Sequence, residues 1–586
     1  MLYMMMFVCS VFAQAEPIIE FEGNKYIIHV ERLNPDRELT LLDVLHMCPE
    51  LMSSDARSLT ADYLLSVDDI MLGVDYVPLL EGIKACDLSE IVVCTYGAVN
   101  NAMDGTTGSI DLKFKEGRGL SGKAEVSGST YGNGELFANI SHESDKVTVR
   151  GFAQGSLLYG KAESLSGNTI TSDRRQENAM LFIDWQISER DLLTVKLQQG
   201  YSRQTDGEEG QRPLTPSSLR GGVDNGNGNG DGNGDGNGND DETVRQRWSE
   251  LSAAYERTLN DQGANLYLES GFNYAKSDIS FLDLQTVNPW WIAEVNYPLF
   301  KQSLVLTAGY EGGYTNIWIP STLREQVLNN DLYLMLNFKK GPWILSLGDR
   351  LRHNNFWDKH YDEEFRDLWS YNRLDHAFHA SAGYRAGLHF VQGIISRTYF
   401  NPLPSSFHSY LDEGSVHHNT RYKTNLAWRS ELRYTFQTPR LVATGSVNHT
   451  ILTDMPTPDQ SVFGLGASVT WNAGKFRLTG GANLNHLHIS DDSPVNSTYY
   501  ILKLAPVLQL GSGFRLSSTL IYNSKVAVLG EKAHLYASVK LGKDLGKHFH
   551  LFADLHDIAG QPEGETYLLY QSYHNRALTI GLSIKL

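Results

Sequence analysis

No stretch of this sequence is apolar for the roughly 20 residues that a membrane-crossing helix needs, which excludes a helical inner-membrane protein. Basic residues are in deficit: 50 Lys and Arg stand against 68 Asp and Glu, a net charge of −18. Nucleic-acid binding is excluded on that ground, because a phosphate backbone demands clustered cations. Cysteine is scarce, 4 among 586 residues, and none lies beyond Cys94. No disulfide framework therefore holds the bulk of the chain, and Cys86 with Cys94 reads either as a pair or as two ordinary buried thiols. Neither a G-x-S-x-G nucleophile elbow nor an H-E-x-x-H zinc helix occurs, so the chain is not read as an enzyme, and no cofactor or metal is assigned.

What the chain has in quantity is alternation. In the last segment Leu578, Ile580, Leu582, Ile584 and Leu586 fall on one face, and Thr579, Gly581, Ser583 and Lys585 on the other. The same period of two recurs at Phe463, Leu465, Ala467, Val469 and Trp471, and again at Ala533, Leu535, Ala537, Val539 and Leu541. One face suits lipid and the other water. A mean hydropathy of −0.31 is what such a chain should show, since every second strand residue avoids lipid and the connectors are polar.

The connectors decide between a soluble sandwich and a membrane barrel, because only the barrel sorts loop length by side. About 22 strand segments can be laid out, an even number as bacterial barrels require. If the first runs outward, the inner connectors are brief, around Glu143–Asp145, Ser188–Arg190, Asp261–Gly263, Lys340–Pro342, Ala386–Gly387, Asn472–Gly474 and Gly511–Gly513. The long ones, 157–176, 204–243, 353–374, 401–423 and 557–574, then fall on the outer side. The reading is an all-β membrane protein, a large transmembrane antiparallel β-barrel.

Residues 1–15, ending in Ala13-Gln14-Ala15, form an apolar stretch with a small-x-small cleavage pattern and are read as a signal peptide. Residues 16–117 differ in character from residues 118–586, which make the barrel. In the first of these, Thr40 to Leu51 reads as a short amphipathic helix with Leu41, Leu42, Val44 and Leu45 at helical spacing, ended by Pro49. A β-run at Ile91–Val93 precedes Gly97, Gly105 and Gly108, and an alternating strand follows with Ile110, Leu112 and Phe114. Glycines so placed mark tight turns and close backbone approaches.

These features resemble the TonB-dependent outer-membrane receptors. Their plug domain carries a leucine-rich helix ending near a proline, then I-x-V-D-G, I-E-V-x-x-G and Y-G-x-x-A-x-G-G-x-I-x-I. The counterparts here are Leu45 and Pro49; Ile70, Val74 and Asp75; Ile91, Val92, Val93 and Gly97; and Met103, Gly105, Gly108, Ile110 and Leu112. In the barrel, Pro404, Tyr410-Leu411, Asn419, Tyr422-Lys423 and Glu431 occupy places similar to the family's R-x-P-x-x-x-E-L and N-P-x-L-K-P-E stretches. Asp554, Leu555, Asp557 and Arg576 do so for its closing strands. The chain departs from the pattern in its short plug and in having no clear TonB box.

The resemblance implies a barrel of about 22 strands with a small α+β N-terminal plug in its lumen. It implies an outer-membrane receptor that binds an extracellular solute and imports it with energy from a TonB-type protein. The alternatives are a non-transporting barrel for surface assembly or adhesion and, further off, an outer-membrane hydrolase. Coupling would use an extended segment near the mature N-terminus, Ile18–Phe21 or Tyr26–Val30, pairing as an added strand. The same residues read equally as the first strands of the plug. Outer-membrane lipid and a surface lipoprotein complete the expected partners.

The outer connectors hold the candidates for solute contact: Trp357, Tyr361, Trp369, His408 and Tyr410. His376 and His379, three apart on a strand, should face opposite ways and cannot share one ion. Trp290, Trp291 and Tyr297 read as interface-belt residues. The run of Gly, Asn and Asp inside 221–242 reads as a flexible solvated loop, without the spacing of a calcium site.

Overall fold

A computed structural model of the chain describes residues 17–22, 25–33, 39–51, 63–68, 70–71, 80, 83–94, 108–115, 119–130, 132–163, 169–209, 242–279, 282–319, 323–360, 368–400, 425–453, 459–490, 495–525, 533–556, 558 and 577–585. Residues 1–15, read from the sequence as a signal peptide, and nearly all of the 221–242 loop lie outside these residues. No helix among them is long and apolar enough to cross a membrane.

Six strands form one N-terminal sheet: β1 (Ile19–Glu22), β2 (Lys25–His29), β3 (Tyr63–Val67), β4 (Ile70–Met71), β5 (Leu88–Cys94) and β6 (Gly108–Phe114). Their order is β1-β2-β5-β6-β3-β4, with β3 parallel to β6 and the other pairs antiparallel. Helix α1 (Leu41–Leu45) is started by a capping box, in which Asp43 N–H donates to Thr40 Oγ1 (3.1 Å) and Thr40 N–H to Asp43 Oδ2 (3.2 Å). It is shorter than the sequence suggests. The chain turns after His46, and Pro49–Leu51 forms a separate 3₁₀ turn. Tyr26, Ile28, Leu41, Leu45, Leu65 and Ile91 are buried in the core of this domain. Gly108 is required by close approach: a Cβ there would collide with the Cys94 carbonyl and the Tyr63 ring. Cys48, Cys86 and Cys94 are free thiols, and burial together with the adjacent Asp87 carboxylate pushes the Cys86 thiol up to about 11.

Twenty-two further strands, from β7 (Gly119–Ser129) to β28 (Ala577–Lys585), pair antiparallel in chain order, and β28 pairs back onto β7 to close a barrel. Its sorting of side chains is the reverse of a soluble domain. On β20 (Asn425–Gln437), Arg433 and Thr435 are 0% exposed while Leu432 and Tyr434 are 58% and 45% exposed. Leu578, Ile580 and Ile584 are likewise exposed on β28 with Leu582 half-buried; Leu586 lies outside the described residues. An outward apolar surface of this kind is stable only against lipid.

The inner connectors are as short as expected. Gly341-Pro342, Gly387-Leu388 and Gly474-Lys475 each join two strands, and Gly341 and Gly387 adopt φ of +60°, the left-handed region that hairpin turns of this length demand. Beside these turns Trp185, Tyr297, Trp343, Tyr384, Trp471 and Phe549 point outward and are exposed. Trp318, Trp428, Phe463 and Tyr500 do so nearer the other end. These two sets are the aromatic girdles of a membrane-spanning barrel. Tyr297 joins the belt as expected, but Trp290 does not. It is buried on the lumen side, its ring laid over Gly271 of the neighbouring strand, while Trp291 packs over Gly312. Missing side chains on the partner strand leave room that these rings fill.

Candidate functional site: the plugged lumen

The N-terminal sheet is held by barrel residues that face inward, so it occupies the lumen. The anchors lie at the inner end, near the short turns. Ile19 N–H donates to Gln437 Oε1 (3.2 Å), Ser468 Oγ to the Met47 carbonyl (2.7 Å) and Asn472 Nδ2 to the Leu33 carbonyl (3.3 Å). Phe21 stacks on Phe390 with ring centres 4.2 Å apart, and the Arg433 guanidinium lies 3.9 Å from the Tyr26 ring centre. Pro49 abuts Gly466, where an added Cβ would come within 2.9 Å of the proline. The apolar core of the plug thereby runs on into Phe152, Phe182, Phe390 and Val442 of the wall.

Ion pairs ring this contact. Lys84 approaches Glu125 (3.6 Å) and Lys123 approaches Asp87 (3.9 Å). Lys503 reaches from the wall to His46 and to Asp43 (3.7 Å). Burial would raise the Asp43 carboxyl, but Lys503, the Thr40 hydrogen bonds and His46 outweigh it and hold the group below its usual range. Arg150 bonds to Asp68. There burial wins: despite Arg150 and Lys113, and with Asp111 and Asp184 adding repulsion, Asp68 is pushed up to about 6.

A second inward cluster lines the wall on a different arc. Arg350 bonds Glu311 (2.7 Å) and Asp331, and Arg352 bonds the same Asp331 (2.6 Å). Tyr333 and Tyr399 lie under the two guanidinium groups at 5.5 and 5.0 Å, and Tyr333 O–H donates to Glu294 (2.8 Å). Lys196 pairs with Glu250 on the same arc. Arg350, Arg352 and Asp331 are at most 2% exposed, so each charge depends on its partners. These paired charges make the inner face of the wall a packed, polar one.

Sequence reasoning did not single out this cluster. Its signal is present in the run Arg350, Arg352, Asn354 set against Leu351: charged residues at every second position mark the lumen face of a strand. His376 and His379 do face opposite ways. His376 pairs outward with Asp349 (2.5 Å), while His379 is buried on the lumen side with neither ring nitrogen bonded among the described residues. Of the solute-contact candidates, Trp357 stands near the outer end of β17 (Trp343–His360) on its odd-numbered face, the one that carries Leu345, Leu347 and Leu351 outward. Trp369 lies in β18 (Leu368–Ala386). Tyr361, His408 and Tyr410, like Asp75, Gly97 and Gly105 of the plug, lie outside the described residues. Ile18–Phe21 and Tyr26–Val30 prove to be the plug's first two strands and the start of the turn that follows them. No group of three His, Cys, Asp or Glu is arranged to hold a metal ion among the described residues.

No family model and no curated protein matches the sequence. Solved structures do. The chain is similar to the siderophore receptor PirA from Pseudomonas aeruginosa (TM-score 0.66, 14% identity), covering 97% of this chain and 100% of that one. It is similar to the ferric-catecholate import receptor Fiu from E. coli K12 in its open form (0.69, 12%; 97% and 98% covered). The FrpB iron transporter from Neisseria meningitidis is similar at a TM-score of 0.71 with 10% identity, covering 98% and 100%. At such identities what is shared is the fold. It is the fold of these receptors, a closed 22-strand barrel around an N-terminal sheet, and a barrel of this size with a lipid-facing belt is one of the outer membrane.

Proposed function

We propose that the protein is an outer-membrane receptor that captures an extracellular solute and imports it past its plug, using energy delivered by a TonB-type partner from the periplasmic side. The observation that carries this reading is the plug itself. It sits in the lumen, tied to the wall at one end by polar contacts that can exchange for water, Ile19 to Gln437, Met47 to Ser468 and Leu33 to Asn472, beside one apolar seam where its core meets Phe152 and Phe390. The proteins of like fold are receptors for iron chelates, so ferric siderophores are the first solutes to test.

One observation favours the alternative of a non-transporting barrel. Both segments that would engage the partner are strands of the buried sheet, with Ile19 and Ile28 at 0% exposure. For β1 to be captured by strand addition it must first leave β2 and Gln437. β1 is an edge strand of the sheet, which makes it the strand whose departure breaks one pairing and not two.

Uptake measured with a labelled ferric-siderophore panel decides between them. Deleting the TonB-type protein should abolish a specific uptake. So should a disulfide between Met47→Cys and Ser468→Cys, placed where plug and wall touch, in a Cys48→Ser background; reductant should restore it. Uptake that survives both changes contradicts transport through a moving plug.

A further inference from the structure

The outer surface of the barrel presents a second arrangement, independent of the lumen. β10 (Thr169–Ser188), β11 (Asp191–Glu209), β12 (Glu242–Thr258) and β13 (Asn265–Ile279) stand side by side, and their register aligns outward residues in rows. The lowest row of interest is apolar: Leu181, Leu197, Leu251 and Phe272, all directly paired and all exposed. Two residues further out comes Ala179, Gln199, Ser249 and Tyr274; then Glu177, Tyr201, Arg247 and Lys276; then Arg175, Arg203, Arg245 and Asp278. Lipid-facing chemistry thus gives way to cationic chemistry over about 20 Å along the strands, at about 6.6 Å per row.

The last of these rows is the anomaly. Arg175, Arg203 and Arg245 sit directly opposite one another on three consecutive strands, spanning about 10 Å. Like charges so placed repel and destabilise a sheet unless something answers them. Arg175 has Glu177 as a partner, and Lys276 has Asp278 and Asp283. Arg203 and Arg245 are exposed and have no ion-pair partner among the described residues. Arg247, one row below, leans over the Tyr201 ring at 5.8 Å.

We propose that Arg175, Arg203, Arg245 and Arg247 form a binding site for the phosphorylated headgroup of an outer-leaflet lipid. Guanidinium forks match phosphate oxygens bidentately. The lowest row, Leu181, Leu197, Leu251 and Phe272, supplies apolar surface for acyl chains, so charge stands above apolar contact in the order a phosphorylated lipid presents them. The rival occupant is internal. The connector joining the strands of Arg203 and Arg245 carries Asp224, Asp231, Asp235, Asp240 and Asp241, whose carboxylates could answer the same charges.

The test compares the full-length protein with the double variant Arg203→Gln/Arg245→Gln, and with Arg324→Gln as an outward-facing control already bonded to Asn316. Detergent-solubilised barrel is titrated with lipid A, with dephosphorylated lipid A and with inorganic phosphate, following thermal unfolding and lipid retention. Heat-modifiable mobility confirms that each variant folds, and a single Arg203→Lys keeps the comparison alive if the double variant does not. Lipid A should bind wild type and Arg324→Gln alike, and the double variant about 100-fold more weakly, near tenfold per guanidinium lost. The Arg203→Lys protein, with charge but no fork, should fall between. Without lipid the double variant should melt no lower than wild type, because repulsion has been removed. Equal affinity in the double variant, or equal binding of the dephosphorylated lipid, overturns the proposal. Saturation of the effect by inorganic phosphate overturns the lipid as its source. If lipid A binds nothing until the connector's aspartates are changed to Asn, the internal occupant holds the site and the proposal also fails.

Discussion

The plug and the barrel use the same two-residue period and sort it in opposite directions. On β2 the residues turned inward are Tyr26 and Ile28; on β20 they are Arg433 and Thr435, with Leu432 and Tyr434 left outside. Strand pattern alone therefore says that one face differs from the other, and the surroundings decide which face is hidden. The plug excludes water from an apolar core, while the wall excludes lipid from a polar one. Where the two meet, at Phe21 on Phe390 and Arg433 over Tyr26, both chemistries are present at once.

The comparison can be broken most severely in the wall's interior. Asp331→Ala leaves Arg350 and Arg352 without their shared carboxylate and should cost about 4 kcal/mol, read from urea unfolding of the barrel. A loss under about 1 kcal/mol would mean the lumen solvates those charges and the inner face is not a packed one. Leu432→Arg, on the opposite face of the same sheet, should cost about 3 kcal/mol in a bilayer. In water-rich, lipid-free conditions it should cost little, which isolates lipid as the cause. Ile28→Ala should cost about 2 kcal/mol or more and should act on the plug alone, loosening hydrogen exchange in β2 and β5 while the barrel's unfolding is unmoved.

The smallest effect is a pH dependence at the plug–wall contact. Asp68 has its folded value raised by burial to about 6 from the ordinary carboxylate value of 3.8. It contributes stability while protonated, fully present below the unfolded value and lost as pH rises through about 6. Plug release by denaturant should thus become easier between pH 4 and 7, and Asp68→Asn should flatten that slope. A steeper slope in the variant would show that Arg150, and not burial, governs the group.

The barrel was legible because its rule is local. Alternation at Phe463–Trp471 and the division of connectors into short and long need no knowledge of distant contacts. Gly108 was legible for a similar reason, as a glycine beside a buried strand. The lumen's anchors were not, because Ser468 meets Met47, Lys503 meets His46 and Gln437 meets Ile19 across some 400 residues with no pattern tying them. The arginine row was hidden for the same reason. Arg175, Arg203 and Arg245 become neighbours only through register, which depends on where each turn begins. Trp290 misled because the sequence reads it as lying near a strand end, whereas it stands in the middle of Leu282–Leu299 and faces the lumen over Gly271.

Conductance across a planar bilayer tests the central claim, a wall built for lipid whose polar lumen is closed by its own N-terminal domain. The intact protein should pass almost no current, and a variant lacking residues 16–117 but keeping the signal segment should open a large, steady pore. An intact protein that conducts as freely as the deletion variant would contradict it.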